Sequence, residues 1–354
     1  MFKEHYNVIG VMSGTSLDGV DLAHIKFEIN HNKWSYEIYE CDTISYATEM
    51  ISKLKNGINF STNELSDLNI EYTNLLGNII SEFITKNNIL DIDAVCSHGH
   101  TILHQPQNGF TLQIGNLPEI AKIVQQKTVC DFRVQDVNLG GQGAPLVPIG
   151  DKILFSEFDY CLNLGGFSNI SFEENNQRIA FDISPVNTVL NFYANTFGLE
   201  YDDKGVISAS GNLNSEVLEK LNQLEFYSKP FPKSLGFEFV KETVLPILES
   251  YSISTEDKMR TFTEHIAFQI GEILKTKSGK LLISGGGVYN DFLIERMKAH
   301  LPTIEIIIPD EKTIKFKEAL IFALLGVLKL RNEINVLASV TGAKQDHSSG
   351  EIYE

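Results

Sequence analysis

The sequence predicts an α/β protein made of two similar halves, and three observations support this prediction. The chain has 354 residues, which is more than one ordinary hydrophobic core accommodates. Its apolar fraction of 43% is enough to fill two cores. Each half also begins with three closely spaced strand patterns, has a glycine-rich turn after the first of them, and continues with helices and strands. We therefore expect two domains that share one order of elements.

The first half opens with three strand patterns and a long helix. Alternating apolar residues predict strands at Val8–Met12, Val20–Phe27 and Trp34–Ile44. Helical spacing then predicts a helix over Ser61–Asn88, with Ser61 as its N-cap and Glu64 as the capping-box partner. The shorter elements that follow are a strand at Asp93–Ser97, a strand at Phe110–Ile114, a helix at Leu117–Gln126 and a strand at Thr128–Asp131.

The second half repeats this order after a loop at Asn138–Gly150, where glycine and proline are frequent. Its predicted elements are strands at Tyr160–Leu164, Ile170–Glu173 and Arg178–Asp182, a helix at Val186–Phe197, a strand at Lys280–Ser284, a helix at Asp291–His300, a strand at Ile304–Ile308 and an apolar helix at Lys317–Leu330. The segment Asp202–Leu248 is less regular. We expect it to be an insertion with helices near Asn214–Leu224 and Phe237–Leu248.

Two halves of this kind predict the duplicated actin-like ATPase architecture, a ribonuclease H-like α/β fold with two lobes around a nucleotide cleft. We expect residues 1–133 and 318–354 to form the first lobe and residues 134–317 the second. In this layout the glycine turns of both halves face the phosphates of a nucleotide.

Charge and composition exclude several kinds of partner. A formal net charge of −17 repels nucleic acid and anionic membrane surfaces, and the sequence contains no uninterrupted basic cluster. No stretch approaches the roughly 20 apolar residues needed to span a bilayer. The 4 cysteines have no metal-binding spacing and are typical of reduced, buried residues. We expect a cytoplasmic protein.

The stretch Val8–Asp21 contains the first glycine turn, which allows two interpretations. One is a hairpin capped by small polar residues. The other is a phosphate cradle, in which the glycines let the backbone approach an anion and the hydroxyls of Thr15 and Ser16 donate to it. In the second interpretation Asp18 holds a metal ion or one of its water ligands.

Two further glycine segments favour the phosphate interpretation. Gly165–Asn169 follows the first strand of the second half, in the position that matches the first turn. An apolar strand runs into Gly285, Gly286 and Gly287 and then into a helix, which suits close approach of the backbone to a nucleotide. A structural turn and a linker are the respective alternatives.

Asp182 is the candidate catalytic base. The pattern places it at the end of a strand, where Ser184 and Pro185 begin a helix. An aspartate at such a junction is either a helix cap or a carboxylate near the γ-phosphate that activates an acceptor oxygen.

Three other residues have both structural and ligand-binding interpretations. His98 is expected either to contact a ligand or to be satisfied by the backbone. Arg133 is expected either to bind a carboxylate of a ligand or to pair with Asp131 or Asp136. Glu318 stands among apolar residues, which indicates a partner or ligand, or else a helix-end charge in solvent.

Short strings along the chain match one known family in order: VIGVMSGTSLDGVD at 8–21, SHGHT at 97–101, TLQIGN at 111–116, DFRVQD at 131–136, GGQGAPLVP at 140–148, LNLGGFSNI at 162–170, ISGGGVYN at 283–290, EALIFALLG at 318–326 and VTGA at 340–343. The sequence resembles the anhydro-N-acetylmuramic acid kinase family, which belongs to the superfamily of hexokinase, actin and Hsp70. The MSGTSLDGVD and GGQGAPLVP strings are highly specific.

The resemblance implies ATP-dependent conversion of 1,6-anhydro-N-acetylmuramic acid to N-acetylmuramic acid 6-phosphate, with Mg²⁺, during peptidoglycan recycling. It implies that Asp182 deprotonates the water that opens the ring, because the anhydro sugar has no O6 hydroxyl to activate. Thr101, Arg133 and Glu318 are assigned to the sugar by the same resemblance, and a homodimer is expected. The ATP stretch corresponds to Gly14, Thr15, Ser16, Leu17, Asp18, Gly19, Val20 and Asp21.

The chain departs from the family strings in three places. The usual FDTGPGN is FDISPVN at 181–187, which keeps Asp182, Pro185 and Asn187. The usual PKSTGRE is PKSLGFE at 232–238, and DFRRRD is DFRVQD, so three arginines are lost. These changes leave open a kinase for another amino sugar without ring cleavage. A non-catalytic nucleotide-binding protein of the actin type is the other alternative.

Overall fold

A computed structural model describes residues 2–14 and 16–354. The chain divides into two compact units: unit 1 comprises Met1–Leu154 and Phe316–Glu354, and unit 2 comprises Phe155–Lys315. The expected lobe boundaries after residues 133 and 317 differ from this division. Residues 134–154 belong to unit 1, because the helix at Val147–Leu154 packs against the third strand of that unit.

The strands are, in chain order, β1 (His5–Ser13), β2 (Val20–Asn30), β3 (Lys33–Ile44), β4 (Ala94–Gln105), β5 (Phe110–Ile114), β6 (Thr128–Cys130), β7 (Tyr160–Leu164), β8 (Phe167–Glu174), β9 (Gln177–Pro185), β10 (Gly279–Ser284), β11 (Ile304–Ile307) and β12 (Glu351–Tyr353).

The α-helices are, in chain order, α1 (Thr48–Asn56), α2 (Thr62–Lys86), α3 (Glu119–Val124), α4 (Val134–Asn138), α5 (Val147–Leu154), α6 (Asn187–Ala194), α7 (Val206–Ser210), α8 (Ser215–Asn222), α9 (Glu225–Ser228), α10 (Phe237–Phe239), α11 (Leu245–Glu249), α12 (Thr255–Leu274), α13 (Asp291–His300), α14 (Glu311–Leu330) and α15 (Ala338–Thr341). Among the residues described, no helix combines the length and apolar character needed to cross a membrane.

Five strands of each sheet follow the same order. In unit 1 the strand order is β12-β6-β4-β1-β2-β3, and β5 pairs with β4 outside this path. In unit 2 the order is β11-β10-β7-β8-β9. Each sheet therefore has an antiparallel three-strand meander, with further strands added in parallel beside its first strand. This repeated ribonuclease H-like order confirms the predicted actin-like fold.

Local sequence signals explain many of the element bounds. Ser61 caps α2, and both bonds of the predicted capping box with Glu64 are present. The predicted bounds of β5, β7 and α13 agree with the structure residue for residue. In the insertion, α8 and the α10–α11 region occupy the two segments where helices were expected.

The helix α12 is not indicated by the sequence pattern, although it forms the centre of the unit 2 core. Met259, Phe262, Ile266 and Ile270 are completely buried on it and follow helical spacing. Polar residues such as His265 are buried on the same helix and interrupt the apolar stripe. The packing of α12 against α7, α8 and α13 accounts for their burial. Likewise α5 lies partly inside the segment expected to be a loop.

Candidate functional site

The first glycine turn joins β1 to β2 in unit 1. The Leu17 N–H donates to the Gly14 carbonyl over an N···O distance of 3.3 Å. Gly19 has a φ of 154°, and a Cβ there would lie 2.4 Å from the Ile44 carbonyl oxygen, so a larger residue does not fit. Val20 is completely buried and is paired with Ser13 of β1 and Ile44 of β3.

The polar side chains of this turn remain accessible. Ser16 and Asp18 are exposed, and Asp21 is half-buried in β2. Thr15, a predicted hydroxyl donor, lies outside the described residues. Burial raises the pKa of Asp21, the Thr43 hydroxyl at 2.6 Å lowers it, and the negative charge of Asp18 raises it. The turn thus offers two neighbouring carboxylates.

These carboxylates fit a magnesium ion that is shared with a nucleotide. No cluster of three or more metal-ligating side chains occurs in the described part of the chain. Mg²⁺ does not require one, because it keeps several water ligands and binds through one or two carboxylates together with substrate phosphates. The charge of Asp18 disfavours ionisation of Asp21, and a divalent cation would relieve this repulsion.

Arg133 is held by His98 of β4 and by a loop carbonyl. Its Nε–H donates to His98 Nε2 over 2.8 Å, and Nη1 donates to the Gly143 carbonyl over 2.6 Å. Since guanidinium only donates, His98 Nε2 accepts, and Nδ1 carries the proton that it donates to the Gly99 carbonyl over 2.9 Å. Burial and the Arg133 charge hold the pKa of His98 well below its ordinary value. Both ring nitrogens of His98 are therefore occupied within the protein.

Arg133 remains a cation in this setting. Burial lowers its pKa to about 10, and the charges of Glu318 and Asp136 act in the opposite direction. Asp136 is completely buried, accepts a bond of 2.6 Å from the Gly143 N–H, and so fixes the loop whose carbonyl holds Arg133. Arg133 was expected to pair with Asp131 or Asp136 if it had a structural role. Its hydrogen bonds instead go to the His98 imidazole and the Gly143 carbonyl.

Glu318 lies in α14, two residues after a kink at Phe316 whose φ of −113° and ψ of 17° are not helical, so it is near the start of the helical segment that follows. Gly10 of β1 allows this helix to approach closely, since a Cβ there would lie 2.1 Å from the Ala319 carbonyl oxygen. The Glu318 side chain is exposed to solvent. The pKa of its carboxyl is nevertheless raised, because the surrounding protein desolvates it. The positive charge of Arg133 lowers this pKa and the negative charge of Asp21 raises it. The carboxylate therefore lies within electrostatic reach of Arg133 and of the first turn.

Thr101 completes the group of predicted residues in unit 1. It is half-buried on β4, which pairs with β1, and its hydroxyl accepts a weak bond of 3.4 Å from the Gln113 amide. Unit 1 thus carries the first glycine turn together with Thr101, Arg133 and Glu318.

The second glycine turn, in unit 2, joins β7 to β8 and contacts the start of α6. The Gly166 carbonyl accepts bonds from the N–H groups of Val186 and Thr188 at 2.8 and 3.3 Å, and the Gly165 carbonyl accepts one from Asn187 at 3.2 Å. These N–H groups have no partner within a helix. The turn is thereby fixed beside the end of β9.

The third glycine segment packs against the end of β7. Gly285 has a φ of 84°, and a Cβ there would lie 2.5 Å from Asn163 Oδ1, while Gly287 packs against the next residue of the same strand. A 3₁₀ turn at Gly286–Tyr289 separates the glycines from α13, which Asn290 caps. The predicted order of strand, glycines and helix is therefore present, with a 3₁₀ turn before the helix at Asp291–His300.

Asp182 lies in β9 of unit 2 and is half-buried. Its Oδ2 accepts a bond of 2.8 Å from the Leu235 N–H, and its own N–H donates to the Lys233 carbonyl over 3.1 Å. Burial raises the pKa of Asp182, and the Leu235 N–H lowers it. Among the described residues, no cationic side chain lies within ion-pair distance of this carboxylate. The charged form of this carboxylate is therefore stabilised by one backbone N–H.

The expected strand-to-helix junction at Asp182 is wrong by three residues. The N–H of Ser184 donates to the Ser168 hydroxyl over 3.1 Å, and that hydroxyl donates to the Ser184 carbonyl over 3.0 Å. Pairing of β8 with β9 continues beyond Asp182 to Ser184 and Pro185, with an irregularity in the register, so β9 ends at Pro185 and α6 begins at Asn187. Asp182 consequently belongs to the strand and is not a helix cap.

The segment at 232–238, one of the three departures from the family strings, contacts Asp182 through the Leu235 N–H. Lys233 Nζ donates to the carbonyls of Phe226 and Tyr227 over 3.2 and 3.3 Å and lies 4.7 Å from the Phe226 ring centroid. The Phe231 ring stacks on Phe181 of β9 at 5.3 Å. These contacts hold the Leu235 N–H against Asp182, 53 positions away in sequence, so no local pattern predicts them.

Three features are typical of an actin-like phosphotransferase: the matching strand orders of the two sheets, the corresponding glycine turns and the half-buried carboxylate of Asp182. Comparison with known proteins gives the family. The family model described as anhydro-N-acetylmuramic acid kinase matches residues 6–354, and the chain belongs to this family. The protein is accordingly a kinase, as predicted.

Relatives with the family name cover the whole chain. The protein from Sulfurimonas denitrificans is 32% identical over 368 residues, covering 98% of this chain and 99% of the relative. The protein from Mannheimia succiniciproducens is 34% identical over 376 residues, covering 100% of each chain. Similarity to solved structures is weaker: the Acidaminococcus fermentans (R)-2-hydroxyglutaryl-CoA dehydratase component A has a TM-score of 0.49 at 12% identity, covering 92% of this chain and 99% of that one.

Proposed function

We propose that the protein converts 1,6-anhydro-N-acetylmuramic acid, water and ATP to N-acetylmuramic acid 6-phosphate and ADP, with hydrolytic opening of the anhydro ring. Membership of the family supports this acceptor. The reaction would serve peptidoglycan recycling and amino-sugar catabolism. The observation that carries the ring-opening step is the Asp182 carboxylate, which is half-buried and has no cationic partner among the described residues.

Asp182 is the general base in this proposal. In the anhydro sugar O6 is bonded to C1, so O6 has no proton to remove. Asp182 instead takes a proton from water, the water oxygen bonds to C1, and the C1–O6 bond breaks. The released O6 bonds to the γ-phosphorus of ATP while the bond from that phosphorus to ADP breaks. Burial, which raises the pKa of Asp182, makes the carboxylate a stronger base.

The nucleotide contacts are assigned to the glycine segments. Gly14, Ser16 and Gly19 of the first turn offer backbone and hydroxyl donors, and Gly165, Gly166 and Gly285–Gly287 offer close backbone approach. Asp18, with Asp21 beside it, would hold Mg²⁺. A bound Mg²⁺ would supply positive charge that stabilises the phosphates during transfer.

Thr101, Arg133 and Glu318 are assigned to the sugar. Arg133 keeps its positive charge and suits the carboxylate of the lactyl group, whereas Thr101 and Glu318 suit hydroxyl and amide groups. We also propose a cytoplasmic location, supported by free cysteines at positions 41, 96, 130 and 161, and a homodimer, which rests on the family alone.

Oxygen-18 water tests the reaction. With ATP and the anhydro sugar we expect ADP release and a sugar 6-phosphate that carries the label at C1. N-Acetylmuramic acid 6-phosphate kept in the same water for the same time corrects for exchange of the anomeric oxygen. A phosphorylated product that retains the anhydro ring, or turnover only with other amino sugars, would contradict the proposal.

A further inference from the structure

Four buried polar side chains in unit 1 form one continuous hydrogen-bond chain, which we call the Ser13 chain. The Tyr72 and Tyr46 hydroxyls are 2.6 Å apart, Tyr46 is 2.6 Å from Ser13 Oγ, and Ser13 Oγ is 2.7 Å from His100 Nδ1. The exposed fractions of the residues are 0% for Tyr72, 8% for Tyr46, 2% for Ser13 and 2% for His100. Buried polar groups of this kind are stable only when all their bonds form.

One order of donors gives every bond of the Ser13 chain a proton. In the described part of the protein the Tyr72 hydroxyl contacts only Tyr46 and Ser13, so it donates within the chain. In this order Tyr72 donates to Tyr46, Tyr46 to Ser13, and Ser13 to His100 Nδ1. Burial lowers the pKa of His100 to about 4, so the ring is neutral near pH 7 and carries its proton on Nε2. No ionisation is needed for the chain to form.

Two members of the Ser13 chain, Ser13 and His100, lie beside two of the assigned ligand segments. Ser13 is the last residue of β1 and immediately precedes Gly14 of the first glycine turn. His100 is paired with Ser13 in the parallel β1–β4 register and immediately precedes Thr101. The chain is anchored in the core by Tyr72 of α2, which is completely buried. It thus ties the start of the turn to the position of Thr101.

We propose that Ser13, Tyr46, Tyr72 and His100 are positioning residues that join the first glycine turn to Thr101, so that nucleotide and sugar binding depend on each other. This inference rests on the proposed function in assigning the turn to ATP and Thr101 to the sugar. The bonds that couple the two segments are those of Ser13 with Tyr46 and with His100. A ligand that orders one segment then reduces the entropic cost of ordering the other.

Ser13→Ala tests the proposal, because it removes the hydroxyl that bonds to both Tyr46 and His100. Calorimetry would measure binding of a non-hydrolysable ATP analogue and of the anhydro sugar, each with and without the other ligand. In the wild type we expect each ligand to strengthen binding of the other about tenfold, and in Ser13→Ala we expect this mutual effect to be lost. Ser210→Ala is the matched control, since the Ser210 hydroxyl is exposed and donates to the Ile207 carbonyl in unit 2.

A second pair of variants keeps the test decisive if Ser13→Ala does not fold. His100→Asn retains an acceptor near the Nδ1 position and should preserve the mutual effect, whereas His100→Leu should abolish it. Equal behaviour of these two variants would overturn the proposal. So would a Ser13→Ala variant with a lower melting temperature but wild-type coupling, because a merely structural role predicts that result. Absence of ADP release by the wild type would instead contradict the proposed function.

Discussion

Replacing Leu235 with proline removes the backbone N–H that donates to Asp182 Oδ2 over 2.8 Å. That bond stabilises the charged carboxylate and lowers its pKa, against the opposing effect of burial. Without the bond, Asp182 binds its proton more tightly. The reaction needs the deprotonated carboxylate, so activity is lost as pH falls through the pKa of Asp182, and the variant should lose it at a higher pH than the wild type.

The structure sets the size of this effect. A hydrogen bond to a charged group contributes about 1.5–3 kcal/mol, and the lower end applies because Asp182 is half-buried and partly screened by solvent. One pKa unit corresponds to about 1.4 kcal/mol. The midpoint of the acidic limb of kcat/KM should therefore move upward by about one pH unit in Leu235→Pro, while activity well above that limb is retained.

The assay is ADP release measured across the acidic and neutral pH range. Leu235→Ala is the matched control, because it trims the side chain and keeps the N–H. Lys233→Met provides an independent variant, since it loosens the segment by removing the ammonium that two carbonyls accept from. If Leu235→Pro is folded and its acidic limb coincides with that of Leu235→Ala, the assigned role of this bond is refuted.

Three further predictions concern the base, the core and the loop beside Arg133. Asp182→Asn retains an oxygen for the Leu235 N–H, so we expect kcat to fall about 10²- to 10⁴-fold with unchanged stability in urea. Gly326→Ala places a Cβ 2.2 Å from Cys96 Sγ, and overpacking should lower the free energy of unfolding by about 1–3 kcal/mol. Asp136→Ala leaves the buried Gly143 N–H unpaired, which should cost about 1–3 kcal/mol in urea unfolding and raise the KM for the sugar.

Each of these predictions has its own control. Full turnover by a folded Asp182→Asn variant would contradict the assignment of the base. Adding Cys96→Ala to Gly326→Ala should recover part of the lost stability, and no recovery would exclude a clash with that thiol. Asp136→Asn keeps one acceptor oxygen and should be milder than Asp136→Ala in both stability and sugar KM.

The local signals predicted the frame of the molecule because they act between near neighbours. These signals are the capping box of Ser61 and Glu64, the apolar alternation of the meander strands and the placement of the two glycine turns. Each of them involves residues that are close together in the sequence. The repetition of this order in both halves was sufficient to predict the duplicated fold. Asp182 was selected in the same way, although its assignment as the base stays a prediction.

The structure around Asp182 is the clearest case in which the local sequence pattern predicted the wrong end of a strand. Pro185 indicates the first turn of a helix, but the Ser168 hydroxyl, on the neighbouring strand, bonds to both backbone groups of Ser184 and extends the strand instead. The sequence pattern did not indicate α12 for a related reason. Polar residues such as His265 are buried on this helix because they bond to side chains on other elements. In both cases distant groups supply the hydrogen bonds that decide the local structure.

The sequence by itself therefore determined the α/β class, the duplicated order of elements, the family, and the residue types available at the site. Only the tertiary structure decided that Leu235 donates to Asp182, that Arg133 is held by His98 and Gly143, and that Ser13 is joined to His100. The physical reason is that strand and helix patterns depend on short-range periodicity, whereas these contacts join residues 10 to 87 positions apart along the chain. Such contacts depend on how the elements pack.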